Sequence, residues 1–163
     1  MSHETQIRVD HTGIAVESIE ATEPVLFALG CRKLIEESVG GQFRWAQYDF
    51  GGGASRLELI APEQPDTFLT EFLDDHGPGL HHVTLEVADI DTVVDAVEAD
   101  GLDTVKYRRY DDWTEVFMPP SNPTGVLFQL FEYHESYDQD RPAPEKLYVD
   151  GERLGLDGGE RPE

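Results

Sequence analysis

The sequence of 163 residues predicts an α+β protein made of two tandem βαβββ modules in a mixed sheet, and three observations carry this prediction. The first is a repeat: His82 of HVTLEV follows His11 of HTGIAV by 71 residues, and Gln129 of LFQLF follows Glu58 of RLELI by the same interval. The second is period-two alternation of apolar and polar residues around these positions, which is typical of strands. The third is helical spacing of apolar residues after a first strand. A duplicated supersecondary unit is the simplest explanation.

The first module is predicted to span residues 1–62 and to begin with a strand over residues 8–16. A short helix is expected over residues 23–29, because proline is tolerated in the opening turn of a helix and Pro24 stands there. Gly30 then provides the stop. Three strands complete the copy, at residues 32–38, 43–50 and 56–60.

A linker over residues 63–79 is predicted to carry a helix at residues 66–74, and the HGPG segment ends that helix. The second module spans residues 80–133, and its helix ends at Gly101. That helix is indicated by apolar residues at helical spacing, namely Ile90, Val93, Val94 and Val97. Three further strands are predicted at residues 104–110, 114–118 and 126–132. Residues 134–163 are interpreted as an acidic C-terminal extension, with a hint of order only at residues 147–149.

Strand alternation predicts which face each donor side chain occupies. In the first strand Thr12, Ile14 and Val16 form an apolar face, whereas His11 lies on the other side. The same alternation places Glu58, His82 and Gln129 on the non-core side of their strands. A sheet with helices on its apolar side and polar groups on the other fits the lining of a wet cavity. His81 is adjacent to His82 on the same strand, points to the opposite face and is therefore not expected to be a metal ligand.

The charge balance limits the kinds of partner. The chain has 34 Asp and Glu against 12 Lys and Arg, a formal net charge of −22. Because these acids are scattered through every element, adaptation to high salt is favoured over an acidic partner-binding surface. Nucleic acid is not expected as a partner, since a basic stripe is lacking.

Location is also indicated by composition. No run of about 18 apolar residues occurs, so no membrane span is expected. The N-terminal segment MSHETQIRVD lacks the pattern of a secretory signal, and a cytoplasmic protein is predicted.

The single Cys31 cannot form an internal disulfide and is interpreted as a packing residue.

The order strand, helix, three strands, given twice with His on the first strand and Glu or Gln on the fourth, resembles the vicinal oxygen chelate superfamily over residues 7–132. The segments that carry the resemblance are DHTGIAVESIE, SRLELIAP, GPGLHHVTLEVADID and NPTGVLFQLFE. Among its members the chain looks most like the methylmalonyl-CoA epimerases. The resemblance implies a curved, cup-shaped sheet with helices on its outer face. It also implies that four donors meet on one divalent metal: His11, Glu58, His82 and Gln129.

The chemistry of this donor set agrees with the implied metal. Two imidazoles, one carboxylate and one amide oxygen suit cobalt, nickel, manganese, iron or zinc, and they leave room for two waters or a bidentate substrate. The ligand types do not select among these metals.

The activity that the resemblance implies is epimerisation or isomerisation beside a carbonyl, with an acyl-CoA thioester as the expected small-molecule substrate. Glu58 is the candidate acid/base, because Gln129 cannot titrate. The epimerase family usually has Glu on the final strand and Gln on the fourth strand of the first copy, so the two are exchanged here. Its second catalytic Glu falls near SVGGQF, where Glu37 is the nearby substitute.

Substrate-binding candidates follow from parity and charge. Arg56 and Glu86 share the cup-facing parity, and either they hold a substrate or they pair with each other. Arg108 and Arg109 belong to KYRRY, the densest basic segment, which either receives carboxylate or phosphate groups or is an exposed strand edge. Because family members often dimerise, a homodimer is expected.

Three alternative functions stay open. A glyoxalase I-like lactoylglutathione lyase also proceeds through an enediolate. An extradiol-type dioxygenase would use two His and one carboxylate around iron, although that family's carboxylate normally stands where Gln129 does. The last alternative is a metal-free small-molecule binding or resistance protein, against which the full donor set argues.

Overall fold

The computed structural model describes residues 4–50, 56–134, 148–149 and 152–153. The chain divides into two compact units. One is the Val9–Thr84 unit, and the other, the C-terminal unit, consists of Met1–Arg8 with Leu85–Glu163. The module bounds expected from the sequence, residues 1–62, 63–79, 80–133 and 134–163, stay predictions.

The Val9–Thr84 unit contains most of β1, all of β2 to β4, two helices and the start of β5. Its elements are β1 (Ile7–Ala15), α1 (Ile19–Ala28), β2 (Arg32–Val39), β3 (Phe43–Asp49), β4 (Arg56–Pro62), α2 (Phe68–His76) and β5 (Gly79–Val87). The strands lie in the order β2-β3-β4-β1-β5. β1 pairs with β4 in parallel, while β2 with β3 and β3 with β4 are antiparallel, so the sheet is mixed. The neighbouring strands β4 and β1 both carry candidate ligands.

One face of this sheet packs against α1 and forms the core of the unit. Tyr48 and Leu59 are fully buried there. The core consists of Val16, Ile19, Leu26, Cys31, Ala46, Tyr48, Leu59 and Ala61. Burial of a large apolar side chain contributes about 1.5–3 kcal/mol, so this face supplies much of the stability of the unit.

Helix α1 begins four residues earlier than the sequence-based expectation of residues 23–29, which was wrong in this respect. Ser18 is the N-cap, and its hydroxyl accepts a hydrogen bond from the backbone N–H of Ala21. Pro24 therefore lies inside the helix instead of in its first turn. The expected stop is present, since Gly30 follows the C-cap with φ of +92°.

Helix α2 packs on the other face of the sheet, the face that carries Glu58. Leu69 of the helix is fully buried against Ala15 and Ile60, with Trp45 beside them. Ile60 stands two residues after Glu58 on β4, and strand alternation places both on the same side. The linker helix thus covers part of the face that was expected to be wet.

The C-terminal unit contains the end of β5 and the remaining elements. They are α3 (Ile90–Ala99), β6 (Val105–Arg109), β7 (Trp113–Met118), β8 (Leu127–Tyr133), β9 (Tyr148–Val149) and β10 (Glu152–Arg153). The strands lie in the order β5-β8-β7-β6, with β9 and β10 as a separate antiparallel pair. Its core consists of Val87, Ile90, Val93, Val116 and Leu130.

Helix α3 is capped at both ends, and Gly101 ends it as the sequence predicts. The Asp89 side chain accepts from the backbone N–H of Thr92, and Gly101 follows the helix with φ of +79°. A carboxylate oxygen of Glu132, on β8, also accepts from the N–H of Ile90 at 2.7 Å. Both acids lie at the positive end of the helix dipole, where they are stabilising.

The predicted α+β class and the βαβββ order of both modules are confirmed by these elements. The strand and helix bounds shift by one or two residues elsewhere, which is usual at element ends. Of the C-terminal extension, the structure describes His134 and the two short strands, and the hint of order at residues 147–149 is met by β9. The other expectations for residues 135–163 lie outside the described residues. No helix in the described ranges has the length and apolarity needed to cross a membrane.

Candidate metal centre

Three of the four predicted metal ligands meet within the Val9–Thr84 unit. His11 lies on β1, Glu58 on β4 and His82 on β5, and one nitrogen or oxygen from each lies within 4.8 Å of the other two. The Nε2 atom of His11 is 3.4 Å from Oε2 of Glu58, and Nε2 of His82 is 3.5 Å from Oε1 of the same carboxylate. All three side chains are buried. The far-apart segments of the chain are joined here by the sheet.

Strand register and one glycine decide how close the three can come. The parallel pairing of β1 with β4 sets Gly13 opposite Glu58. A Cβ atom at Gly13 would lie 2.0 Å from Cε1 of His82, a separation that no side chain tolerates. The imidazole of His82 therefore occupies the space that the missing side chain leaves.

His11 is held at both ring nitrogens. Its Nδ1 atom is 2.6 Å from Oδ2 of Asp10, and its Nε2 atom is 3.0 Å from the hydroxyl oxygen of Thr84. Burial lowers the pKa of His11, but the carboxylates of Glu58 and Asp10 outweigh it and raise that pKa above its usual value. Burial raises the pKa of Asp10, but Arg56 and then His11 outweigh it and hold that pKa well below its usual range.

Glu58 accepts a hydrogen bond as well as facing both histidines. The amide Nε2 of Gln47, its cross-strand partner on β3, donates to Oε2 of Glu58 at 3.1 Å. Burial raises the pKa of Glu58, and His11 and His82 outweigh it and lower that pKa to about 2. The group is thus an ionised carboxylate, the form that binds metals.

Arg56 lies beside this cluster and is buried, with 4% of its surface exposed. Its Nη2 donates to Oδ1 of Asp10 at 2.6 Å, and its Nη1 donates to Oε1 of Gln47 at 2.9 Å. The arginine expected to contact substrate therefore makes hydrogen bonds to two residues that themselves contact His11 and Glu58.

His82 also has a partner at its second nitrogen. Its Nδ1 is 3.0 Å from Nδ1 of His81. The His81 ring packs against the aromatic rings of Phe68 and Phe72 on α2. Burial, followed by the neighbouring His82, lowers the pKa of His81 to about 4, so this ring is neutral near pH 7. His81, which strand alternation did not predict to be a ligand, is thus in contact with the candidate ligand His82.

The fourth predicted ligand, Gln129, belongs to the C-terminal unit, and its joining the other three stays a prediction. It lies on β8 and its amide Nε2 donates to Oε2 of Glu115 on β7 at 3.1 Å. The hydroxyl of Tyr110 donates to the other oxygen of Glu115 at 3.2 Å. Each module thus holds an amide against a carboxylate on neighbouring strands.

The remaining predicted site residues are spread over both units. Glu37 is exposed on β2, where its cross-strand partner is Trp45. Trp45 and Gln47 are two residues apart on β3 and therefore lie on the same face. Because Gln47 pairs with Glu58, Glu37 shares the sheet face of Glu58. Glu86 is fully buried and accepts from Nε of Arg8 at 2.8 Å. Arg108 and Arg109 are exposed on β6, and Arg108 lies 4.0 Å from Glu115.

The three clustered side chains fit a divalent metal. Two neighbouring ligands bound at about 2.0–2.1 Å lie roughly 2.8–3.0 Å apart around an octahedral ion and roughly 3.3–3.4 Å apart around a tetrahedral one. The observed nitrogen–oxygen separations of 3.4 and 3.5 Å are close to the tetrahedral range. A carboxylate and two imidazoles are also ordinary ligands of first-row metals, and three protein ligands leave positions for substrate.

Sequence reasoning missed the residues that support this cluster. Asp10, Gln47 and Gly13 were not predicted to have a role. For Asp10 the signal was its place directly before His11, and for Gln47 it was the alternation of β3, which puts its amide on the polar face. Gly13 stands on the same strand face as His11, two residues away.

Residues 10–117 match the family model of the Glyoxalase/Bleomycin resistance protein/Dioxygenase superfamily. A curated relative, the uncharacterized protein YqjC of Bacillus subtilis (strain 168), is 31% identical over 129 residues, which are 77% of this chain and 91% of that protein.

Solved structures similar to this chain include epimerases. Methylmalonyl-CoA epimerase from Mycobacterium tuberculosis superposes with a TM-score of 0.72 at 28% identity, over 85% of this chain and 97% of that one. A variant of the Streptomyces coelicolor methylmalonyl-CoA epimerase, in complex with 2-nitronate-propionyl-CoA, superposes with a TM-score of 0.66 at 28% identity, over 78% and 94%.

Proposed function

The chain belongs to the Glyoxalase/Bleomycin resistance protein/Dioxygenase superfamily, and we propose that it is a metal-dependent epimerase or isomerase that abstracts a proton alpha to a carbonyl. The observation that carries the proposal is the buried set of His11, Glu58 and His82. Similarity to methylmalonyl-CoA epimerases over most of the chain favours this reaction among those of the superfamily.

The metal would be held by His11, Glu58 and His82, with Gln129 as the fourth ligand from the C-terminal unit. The chemistry that a bound divalent metal supplies in such a site is Lewis-acid stabilisation of negative charge that develops on a carbonyl oxygen. Cobalt, nickel, manganese, zinc and iron all match this donor set.

Proton transfer is assigned to the carboxylates of the first module. Glu58 is the group that accepts the proton, since the amide of Gln129 cannot titrate. Epimerisation also needs a second proton-transfer group, on the side of the substrate opposite to the first. Glu37 is the candidate for this group, because it lies on the same sheet face as Glu58.

The proposed substrate is a small acyl-CoA thioester. Relatives of this fold have been solved with 2-nitronate-propionyl-CoA and with methylmalonyl-CoA, which supports an acyl-CoA ligand. Glu86, Arg108 and Arg109 are proposed to contact the substrate, the two arginines through its anionic groups. Arg56 belongs to the same predicted group, although its terminal nitrogens are hydrogen-bonded to Asp10 and Gln47. A cytoplasmic homodimer completes the proposal.

The metal is tested by measuring metal content and divalent metal affinity of the purified protein and of two variants, His11→Ala and Glu58→Ala. Each variant should lose at least tenfold in affinity, because one of three ligands is removed. His76→Ala is the matched control, since His76 is exposed on α2 and should leave affinity unchanged. Failure of the wild-type protein to bind any divalent metal tightly would contradict the proposal.

The reaction is tested by proton exchange at the alpha carbon of methylmalonyl-CoA in deuterated water. We expect exchange in the metal-loaded protein and a large loss in Glu58→Gln. Turnover of a hemithioacetal and uptake of oxygen with a catechol are run in parallel. A response only in one of these two assays would replace the epimerase assignment with a lyase or a dioxygenase.

A further inference from the structure

We propose that Arg56 is a positioning residue that holds two of the candidate metal ligands, His11 and Glu58, through Asp10 and Gln47. This inference rests on the proposed metal site. It assigns a role in metal binding to a residue that the donor pattern does not include, and it identifies Asp10 and Gln47 as the two intermediates.

The link to His11 runs through Asp10. Nη2 of Arg56 donates to Oδ1 of Asp10 at 2.6 Å, and the other oxygen, Oδ2, lies 2.6 Å from Nδ1 of His11. A carboxylate paired with a guanidinium is an acceptor, so the proton of the imidazole resides on Nδ1. Nε2, the atom that faces Glu58, then carries the lone pair needed by a metal.

The link to Glu58 runs through Gln47. Nη1 of Arg56 donates to Oε1 of Gln47 at 2.9 Å, and Nε2 of Gln47 donates to Oε2 of Glu58 at 3.1 Å. Because the guanidinium can only donate, the amide must present its oxygen to Arg56 and its NH₂ group to Glu58. The orientation of Gln47, and with it the carboxylate of Glu58, therefore depends on Arg56.

A single planar group makes both links. Arg56 extends from β4, while Asp10 lies on β1 and Gln47 on β3, so one guanidinium connects the two strands that flank its own. The 3.4 Å contact between His11 and Glu58 closes the series of contacts into a ring. Lysine could contact one of the two partners, but it lacks the fixed fork that serves both.

The test compares Arg56→Gln and Arg56→Lys with Arg32→Gln as the matched control. Arg32 also pairs with an aspartate of this sheet, Asp49, through Nε at 2.6 Å and Nη2 at 3.1 Å, but contacts neither Asp10 nor Gln47 in these bonds. Metal-free protein is titrated with Co²⁺, and its affinity, its visible absorption spectrum and the melting temperature of the metal-free form are measured.

Both Arg56 variants should bind Co²⁺ about 10- to 100-fold more weakly than the wild type and show an altered visible spectrum, as expected when a group behind a ligand is removed. Arg32→Gln should change the affinity by less than about twofold, whatever its effect on the melting temperature. Wild-type affinity and spectrum in Arg56→Gln would overturn the inference while leaving the proposed metal site intact. Absence of Co²⁺ binding by the wild type would overturn both.

A second variant keeps the inference testable if Arg56→Gln does not fold. Gln47→Met preserves the length of the side chain and removes its hydrogen bonds to Arg56 and Glu58, while the bond between Arg56 and Asp10 is retained. This variant should weaken Co²⁺ binding about tenfold. Where both single variants fold, the double variant should bind about as weakly as Arg56→Gln alone, because the two residues act in one series of contacts. Multiplication of the two separate losses would overturn the shared route.

Discussion

Gly13 determines where the imidazole of His82 can lie. The glycine stands opposite Glu58 in the parallel pair of β1 and β4, and the His82 ring fills the volume beside its Cα. Glu58 in turn lies between the two histidines, with contacts of 3.4 and 3.5 Å. The position of the His82 ring in the ligand cluster thus requires a residue without a side chain at position 13.

Gly13→Ala should disrupt this arrangement. Its Cβ would lie 2.0 Å from His82, so either the ring or strand β1 must move. We expect a loss of at least tenfold in divalent metal affinity, measured by titration, together with a lower melting temperature. Gly79→Ala is the control, because a Cβ there meets nothing within 4 Å. Unchanged metal binding in Gly13→Ala would show that the ring does not need this space.

The hydroxyl of Tyr48 makes a hydrogen bond at the edge of the hydrophobic core. It donates to Oε1 of Glu23 at 2.8 Å while the residue is fully buried. Tyr48→Phe should lower the free energy of unfolding in urea by about 1–2 kcal/mol, since the bond involves a charged acceptor. Tyr107→Phe removes an equally long hydrogen bond, to Asp91, at an exposed position and should cost less than about 0.5 kcal/mol. Equal effects of the two variants would contradict this account.

Helix α2 packs on the ligand-bearing face of the sheet. It begins with a reciprocal capping arrangement of Thr67 and Thr70 and buries Leu69 against Ala15 and Ile60. Its Phe68 and Phe72 rings contact His81, whose Nδ1 reaches His82. The helix that connects the modules therefore contacts His81, which in turn contacts the candidate ligand His82.

Leu69→Ala should destabilise the protein by about 2–5 kcal/mol, because a fully buried leucine leaves a cavity against the sheet. The measurement is urea unfolding of the metal-free protein. Leu80→Ala, at a position with 55% of the residue exposed, should change the free energy of unfolding by less than about 1 kcal/mol. A loss of less than about 1 kcal/mol in the free energy of unfolding for Leu69→Ala would mean that α2 contributes little to the stability of the fold.

Charge is the property that acts on the molecule as a whole. The chain has a formal net charge of −22, so most of its acidic side chains have no lysine or arginine to match them. Basic residues such as Arg32, Lys33 and Arg44 each form ion pairs with acids. Like charges spread over a surface repel one another, and salt screens that repulsion over about 3 Å at 1 M against about 10 Å at 0.1 M.

The melting temperature should therefore rise between dilute buffer and molar KCl. The control is sucrose at equal osmolality, which does not screen charge and separates screening from general exclusion effects. A melting temperature that is the same in dilute buffer and in molar KCl would exclude adaptation to high salt.

Local sequence pattern by itself determined much of this protein. The repeat of 71 residues predicts two βαβββ copies, and period-two alternation places His11, Glu58 and His82 on one kind of face, where the structure brings them together. Such features follow from the chain because a strand's side chains alternate whatever the strand packs against. Helix caps such as Asp89 and Gly101 are local in the same way.

Only the tertiary structure determined which residues hydrogen-bond to those ligands. Alternation says on which face a side chain lies, but not which residue of another strand lies opposite, since register depends on segments far apart in the chain. Arg56 hydrogen-bonds to Asp10 across 46 residues of sequence and to Gln47 across 9, two contacts that the alternation pattern did not indicate. The same limit applies to α2, whose amphipathic pattern predicts a helix without indicating which face of the sheet it covers.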